Sequence, residues 1–561
     1  MKNQKQDLKN TKKGGIAPVQ SEFQIPYPGM LLAVAVMFLY ASSINLGFTE
    51  LDDSIFIKER QSYNEDLSNL VTSFKRGVFN ETEDVYYRPI LLNSFILNYQ
   101  LSGTAIKGYH VVNILLHLIA VLLLYQLLMK LRFRKIEAFL LTLFFAIHPV
   151  LTQAVAWIPG RNDTLLAVFL FTFFIGLINY SNHGKPAAFI LQLVTLLLAF
   201  FTKETTVFAA PVALLLLVLC LEKKIFEMRS MLLYGSWLLA FILWYYVRSL
   251  ATLKEEQMQF GSVLAALPCR LPVIVQYFGK IILPLNLNVF PITKDTSNVY
   301  GLIAVALIAA GLFFSKDRNN KIVIAGIGTF LLFLVPVLLV PASLNDQDFE
   351  HRLYLPIVGV LLLLTQTILF RNSINDKTIF FGGIGICLVL AIINFNHQDK
   401  FKDANTFWTE AVKGSPNSAY ANMMLGARLS ETDSIKSEQY MKAAHALNPD
   451  EKYLNYYLGK MALDKDSIPE AEAYFLKEIK KSAYYECYFH MARIAFIKND
   501  FEGAIGYLTT YLSKTPDDEQ ANNNLLLLYL QTNKMEEARI QLKRMRQLGL
   551  AIPPEAIERL K

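Results

Sequence analysis

Up to about residue 396 the chain is a succession of apolar runs separated by short charged loops. The first, Met30–Phe48, contains no Asp, Glu, Lys or Arg and is long enough to cross a bilayer. With 53% hydrophobic and only 18% charged residues, the 561-residue chain is too apolar to cover a soluble surface of its size. The pattern therefore predicts an all-α protein in two parts: a polytopic membrane domain over 30–396, and a soluble tail over 397–561. A largely polar leader, 1–29, is too long for the n-region of a cleavable signal peptide, so Met30–Phe48 reads as a retained signal-anchor.

Apolar runs near 30–48, 110–130, 137–153, 163–181, 187–202, 206–221, 230–249, 299–315, 321–340, 353–370 and 379–395 predict about eleven spans. Basic residues set their direction. Lys2, Lys5, Lys9, Lys12 and Lys13 precede the first run, Lys130, Arg132, Arg134 and Lys135 follow the second, and Lys223, Lys224, Arg229, Lys316, Arg318 and Lys321 come later. All fall on one side if the N-terminus is cytoplasmic. The segment Gly261–Leu285, with Arg270, Lys280 and three prolines, then reads as re-entrant or interfacial, and the tail lies outside. The net charge of +7 belongs to these loops and gives no nucleic-acid signal, and four scattered cysteines give neither a zinc site nor a disulfide framework.

This topology gathers the unusual polar residues on the outer face. "FTELDDSIFI" places Asp52 and Asp53 after the first run, as a polar cap or as an acid/base pair whose apolar neighbours would raise a carboxyl pKa. Arg88 in "YYRP" is either a helix-start cation or a phosphate ligand. His110, Asn113 and His117 share one helical face, which fits interhelical hydrogen bonding better than metal ligation because no acidic ligand is spaced with them. "HPVLTQAVAWIPGRND" carries His148, Gln153, Trp157, Arg161 and Asp163; "TKET" carries Lys203 and Glu204; "DFEHRLYLP" carries Asp348, Glu350, His351 and Arg352. An outer-face Arg suits a lipid-phosphate substrate, since the guanidinium fork matches phosphate oxygens. No P-loop, H-E-x-x-H or G-x-S-x-G motif is present.

In the tail, Leu425-Gly426, Leu458-Gly459, Met491-Ala492 and Leu525-Leu526 recur at steps of 33, 33 and 34 residues. Pro416, Pro449, Ser482 and Pro516 keep the same period, as do Ala471, Ala504 and Ala538, with Glu438 in that place in the first unit. Such a period, with small residues where helices cross, predicts about four tetratricopeptide repeats stacked as an α-solenoid.

Taken in order, "LDDSIFI", "YRPILLNSFILNYQLSG…GYHVVNILLHL", "HPVLTQAVAWIPGRNDTLLA", "TKET", "YFGKIILPLNLN", "EHRLYLP" and "FWTEAVKGSPNSAYANMMLG" resemble the polytopic GT-C glycosyltransferases, most closely the transmembrane-and-tetratricopeptide-repeat O-mannosyltransferases. The resemblance runs from about residue 30 through nearly the whole chain. It implies an enzyme of the inner (cytoplasmic) membrane that moves a mannose-like hexose from a polyprenyl-phosphate carrier to Ser or Thr of proteins outside the cytoplasm. By that resemblance Asp52 is the base and Asp53 its partner. Arg352, with Arg270, Lys203 and Arg88 behind it, binds the donor phosphate, and His110, His148, Arg161, Glu204 and Glu350 are further candidates for the substrate site. No metal or other cofactor is implied; the partners are the lipid-linked donor, membrane lipids and acceptor proteins held by the repeats. The short repeat array points to a bacterial member. The alternatives are transfer to a glycan or lipid, en bloc oligosaccharide ligation, or a non-catalytic repeat scaffold for envelope assembly.

Overall fold

The computed structural model describes residues 24–79, 86–252, 260–339, 347–372 and 374–560. The lysines at positions 2 to 13, and with them most of the polar leader, lie outside the described residues. The chain divides into two compact units between Asp403 and Ala404.

The described residues of the first unit form helices joined by short loops, with one isolated bridge between Ile292 and Gln347. Among the described residues six helices are long and apolar enough to cross a membrane: Pro28–Asn45, Ile106–Lys130, Ile158–His183, Met228–Ala251, Asn320–Leu338 and Asp376–Phe401. A seventh counts if Lys135–Ile147 and Pro149–Ala156, bent by 49°, are one broken span. The bend falls where Pro149 lacks an N–H for the ladder. This is a membrane protein, and by length and composition six or seven of its described helices qualify as spans, beside the eleven apolar runs of the sequence. The runs at 187–202, 206–221 and 299–315 form shorter apolar helices. The run at 353–370 breaks into Pro356–Leu364 and Ile368–Arg371. There the Thr365 and Thr367 hydroxyls donate to the carbonyls of Leu362 and Leu364, competing with the helical ladder.

The proline-rich segment forms one helix, Phe260–Ile282, with Pro268 and Pro272 inside it. Each proline deletes one donor, and neither ends the helix.

Large exposed apolar side chains such as Phe38, Leu238, Leu239, Phe381 and Ile392 cover the outer helix faces, where lipid takes the place of a protein partner. Inside, Tyr40, Phe145, Phe171 and Tyr354 pack in one aromatic core with His117. Polar side chains tie the helices across it. His117 Nε2 faces the Ala146 carbonyl at 2.9 Å and so carries the proton, leaving Nδ1 to accept from the Tyr354 hydroxyl at 2.6 Å. Asn394 donates to Tyr40 and to the Ile147 carbonyl.

The second unit consists of antiparallel helix pairs, Ala419–Leu429 with Ser434–Leu447, Leu454–Asp464 with Ile468–Ser482, Glu486–Ile497 with Phe501–Leu512, and Glu519–Gln531 with Met535–Gln547. A Cβ at Gly459 would lie 2.7 Å from the Phe475 ring, so only glycine permits that crossing. Ala471, Ala504 and Ala538 are fully buried at the equivalent contacts. In the first pair the small residue sits one position earlier. Ser437 is buried and donates to the Gly426 carbonyl at 2.8 Å, while Glu438 turns outward to Lys442 and Lys465.

Candidate functional site

The two adjacent aspartates have different surroundings. Asp53 is buried, and its carboxylate accepts from Thr49 N (2.6 Å), Thr49 Oγ1 (3.0 Å), Glu50 N (2.9 Å) and Ser54 N (3.0 Å). Glu50 has φ +54°, an uncommon conformation for a non-glycine residue, and it lies within the chain turn that wraps Asp53. Asp52 is half-buried, and its carboxylate has no hydrogen-bond partner among the described residues. Burial, with the neighbouring Asp53 charge, raises its pKa to about 7, against the pull of Arg88. Asp53 is thus a spent acceptor, and Asp52 is a free carboxylate poised near neutrality.

Arg88 joins Asp52 to a larger charged group. Its guanidinium pairs with Glu204 (Nη2 to Oε2, 3.0 Å; Nε to Oε2, 3.0 Å). With the Asn162 amide turned to satisfy both its ends, the Asn162 oxygen accepts from Arg88 Nη1 at 3.0 Å and its nitrogen donates to the Thr202 carbonyl at 3.0 Å. Glu204 also accepts from Tyr87 N. Next in sequence, Lys203 Nζ holds both oxygens of Asp163 at 2.7 and 2.9 Å. Burial lowers the Lys203 pKa, although Asp163 opposes it. His351 Nε2 stands 4.0 Å from Asp163 Oδ2, and its pKa is held well below the ordinary value by burial and by Lys203, Arg352 and Arg88. Arg352 donates from Nη1 to the Gln347 carbonyl at 2.7 Å and lies over the Phe349 ring. It has no carboxylate within ion-pair distance among the described residues. Five segments that are far apart in sequence therefore supply one electrostatically linked group: Asp52, Arg88, Asp163, Lys203, Glu204, His351 and Arg352.

The other candidate residues are engaged elsewhere. Arg161 is fully buried and donates to Asn113 Oδ1 (2.8 Å), Asn98 Oδ1 (2.6 Å) and the carbonyls of Tyr109 (3.0 Å) and Ser94 (3.2 Å), with the Phe95 ring beneath it. Two residues away, Asp163 is thereby presented on a rigid helix start. The preceding turn closes tightly, since a Cβ at Gly160 would lie 2.5 Å from the Gln153 carbonyl oxygen. Arg270 is buried against Asp348 at 3.2 Å. Glu350 takes Lys280 at 2.8 Å and Asn288 N at 2.9 Å, with His397 at 3.5 Å. Burial pushes the Glu350 pKa up, but Lys280 and His397 outweigh it and leave it below the ordinary range. His148 faces the Ile281 carbonyl with Nε2 and accepts Val150 N on Nδ1; His110 Nε2 faces the Leu46 carbonyl. Among the described residues no three His, Cys, Asp or Glu side chains converge as a metal-ligating group.

Asp163, His351, Asn162 and Gln153 join the charged group although the sequence singles out none of them as a site residue. Their only signal is position: Asn162 and Asp163 follow Arg161 in "GRND", and His351 precedes Arg352. Gln153 stands in a loop that an aromatic belt does not explain.

Comparison with known proteins follows the same division. Residues 490–549 match the tetratricopeptide repeat family model. A Protein O-mannosyl-transferase of Caenorhabditis elegans is 35% identical over 143 residues, 25% of this chain and 20% of that protein. Protein O-mannosyl-transferase TMTC3 of Homo sapiens is 20% identical over 513 residues, 80% of this chain and 54% of the human protein. Over these stretches the chain is similar to proteins named as protein O-mannosyl-transferases. It spans about half the length of the human relative and a fifth of the nematode one. Among solved structures, an oligosaccharyltransferase of Archaeoglobus fulgidus tethered with an acceptor peptide aligns with 75% of this chain and 59% of its own, at 12% identity and a TM-score of 0.36.

Proposed function

We propose that the chain is a GT-C-type glycosyltransferase that moves a hexose from a polyprenyl-phosphate carrier to Ser or Thr hydroxyls of proteins on the outer face of the inner (cytoplasmic) membrane. The observation that carries this reading is a free carboxylate with a pKa of about 7, Asp52, beside a cationic group in which Arg352 keeps a guanidinium without a carboxylate partner. Relatives named as protein O-mannosyl-transferases support the reaction class.

In the reaction, Asp52 takes the proton of the acceptor hydroxyl as its oxygen bonds to the anomeric carbon. The bond from that carbon to the phosphate oxygen breaks, and the carrier phosphate leaves with the electron pair. Arg352, with Lys203 and Arg88 behind it, stabilises the charge that develops on the phosphate. Asp53 works through its four hydrogen bonds by fixing the turn that aims Asp52. Residues 30–396 hold the chemistry, and the repeats over 397–561, outside the cytoplasm, hold acceptor proteins; the leader lies in the cytoplasm.

The test compares sugar on secreted proteins in a deletion strain complemented with wild type or with Asp52→Asn. Single-hexose adducts on Ser or Thr with wild type, absent with the variant, are the expected result. Long glycans would favour en bloc ligation. Full function in both Asp52→Asn and Arg352→Ala, with loss on deleting 416–561, would establish the scaffold reading.

A further inference from the structure

Beside the charged group stands a neutral side chain, Gln153, whose hydrogen-bond polarity is fixed. Gln153 donates from Nε2 to the Val289 carbonyl at 3.1 Å, so its Oε1 is the end that meets His351. That oxygen accepts from the His351 backbone N at 3.2 Å and faces ring Nδ1 at 3.1 Å. An amide oxygen can only accept, so Nδ1 carries the proton and Nε2 carries the lone pair. The charged groups facing the ring are Lys203, Arg88, Arg352 and Asp163. Asp163, at 4.0 Å, is beyond hydrogen-bond reach, and both its oxygens are held by Lys203. His351 Nε2 therefore has no donor among the described residues. The ring lies against two aromatics, Phe349 at 5.3 Å and Trp157 at 5.4 Å, which also contact each other at 6.1 Å. Trp157 is 4% exposed, and its indole Nε1, a donor, has no partner either.

An open acceptor and a buried, open donor in one aromatic cluster make a poor phosphate site, because an imidazole lone pair repels an anion. They complement a hydroxyl, which gives its proton to one nitrogen and accepts from the other. We propose that His351 Nε2 and Trp157 Nε1 form a neutral subsite for a hydroxyl of the transferred sugar, beside the cations that take the carrier phosphate. This rests on the reading of the site as a lipid-phosphate glycosyltransferase. The Gln153 amide is the positioning residue that keeps the His351 acceptor aimed.

The experiment uses the full chain in lipid nanodiscs and three probes: polyprenyl phosphate without sugar, polyprenyl-phosphate mannose and polyprenyl-phosphate glucose. Wild type is expected to bind one sugar-bearing carrier about five- to tenfold more tightly than the bare carrier, the worth of one or two neutral hydrogen bonds. His351→Leu erases that preference and leaves affinity for bare polyprenyl phosphate unchanged. His351→Gln, whose amide oxygen reaches the place of Nε2, keeps part of it. Trp157→Phe keeps the ring, loses the donor and lowers the preference without loss of fold, so the measurement stands even if His351→Leu does not fold. The preference surviving in both His351→Leu and Trp157→Phe overturns the proposal, as does an equal loss of affinity for all three probes. Wild type binding bare and sugar-bearing carriers alike removes the hydroxyl subsite but leaves the donor reading standing. Wild type binding none of the three removes the donor reading, and the subsite with it.

Discussion

Arg161 and Arg352 look alike in the sequence, each placed where a polar loop gives way to an apolar run. In the structure Arg161 is fully buried and spends its Nε, Nη1 and Nη2 on four oxygens and its face on Phe95. Arg352 is half-buried and gives one hydrogen bond to the Gln347 carbonyl. The same contrast separates Asp53, with four donors, from Asp52, with none among the described residues. A side chain whose hydrogen-bonding capacity is filled holds the fold and has nothing left for a substrate. One whose capacity is open is costly to keep in a folded protein, and it is the one available for chemistry. The contrast can be broken by mutation, and the two sets should break in different ways.

The largest effect is expected at Asp52. Asp52→Asn keeps the shape and removes the base, which should cost roughly 10²–10⁴-fold in transfer rate without lowering thermal stability; activity assays on purified protein beside an unfolding curve check both. At the filled set the expectation reverses. Glu350→Ala leaves Lys280, paired with it at 2.8 Å, as a buried charge without its carboxylate, and should cost about 3–5 kcal/mol of stability. A melting temperature close to wild type would mean that Lys280 finds water or another partner, and the division into filled and open sets would lose its basis.

Smaller effects test the open set. Arg352→Lys keeps the charge and loses the planar fork, so donor affinity should fall about tenfold, and Arg352→Ala should lower it further. An equal result for both would mean that the fork does not grip the phosphate. The pH dependence follows from Asp52. The base works ionised and its pKa is about 7, so kcat/KM should rise through the neighbourhood of pH 7 and level off above it. In Arg88→Met the cation that pulls that pKa down is gone, and the rising limb should move to higher pH.

How much of this was legible in the sequence depends on range. The repeats were legible because their signal is a local period of 33–34 residues, and even the exception at Glu438 is a one-residue shift of the small contact to Ser437. The convergence of the "LDD", "YYRP", "TKET" and "EHRL" loops on one group followed from their order and shared polarity. The difference between Asp52 and Asp53 was not legible, because it is made by Thr49, Glu50 and Ser54 turning three backbone N–H groups onto one carboxylate. Nor were the roles of Arg161 and Arg270 legible, because their partners come from Asn98, Asn113 and Asp348, 48 to 78 residues away. Among the described residues fewer helices than apolar runs are long enough to span on their own, because several runs form short or broken helices. Hydropathy counts apolar residues, whereas Thr365 and Thr367 end a helix by hydrogen-bonding back to it.

The smallest predicted effect bears most directly on the idea that the open set is kept at a cost. Asp52 has an ordinary pKa of 3.8 and a folded-state pKa of about 7. The folded state therefore binds this proton more tightly than the unfolded state does. Well below pH 3.8 the carboxyl is neutral in both states and carries no penalty. As pH rises towards 7 the unfolded chain ionises first, stability falls, and above 7 the penalty is complete. Asp52→Asn removes the ionisable group, so its melting temperature should exceed that of wild type by a few degrees at pH 8 and by less at pH 5. Asp53→Asn replaces an acceptor held by four donors and should lower the melting temperature at both values. If Asp52→Asn is less stable than wild type at pH 8, Asp52 belongs with the filled set, and its carboxylate has a partner within the folded protein.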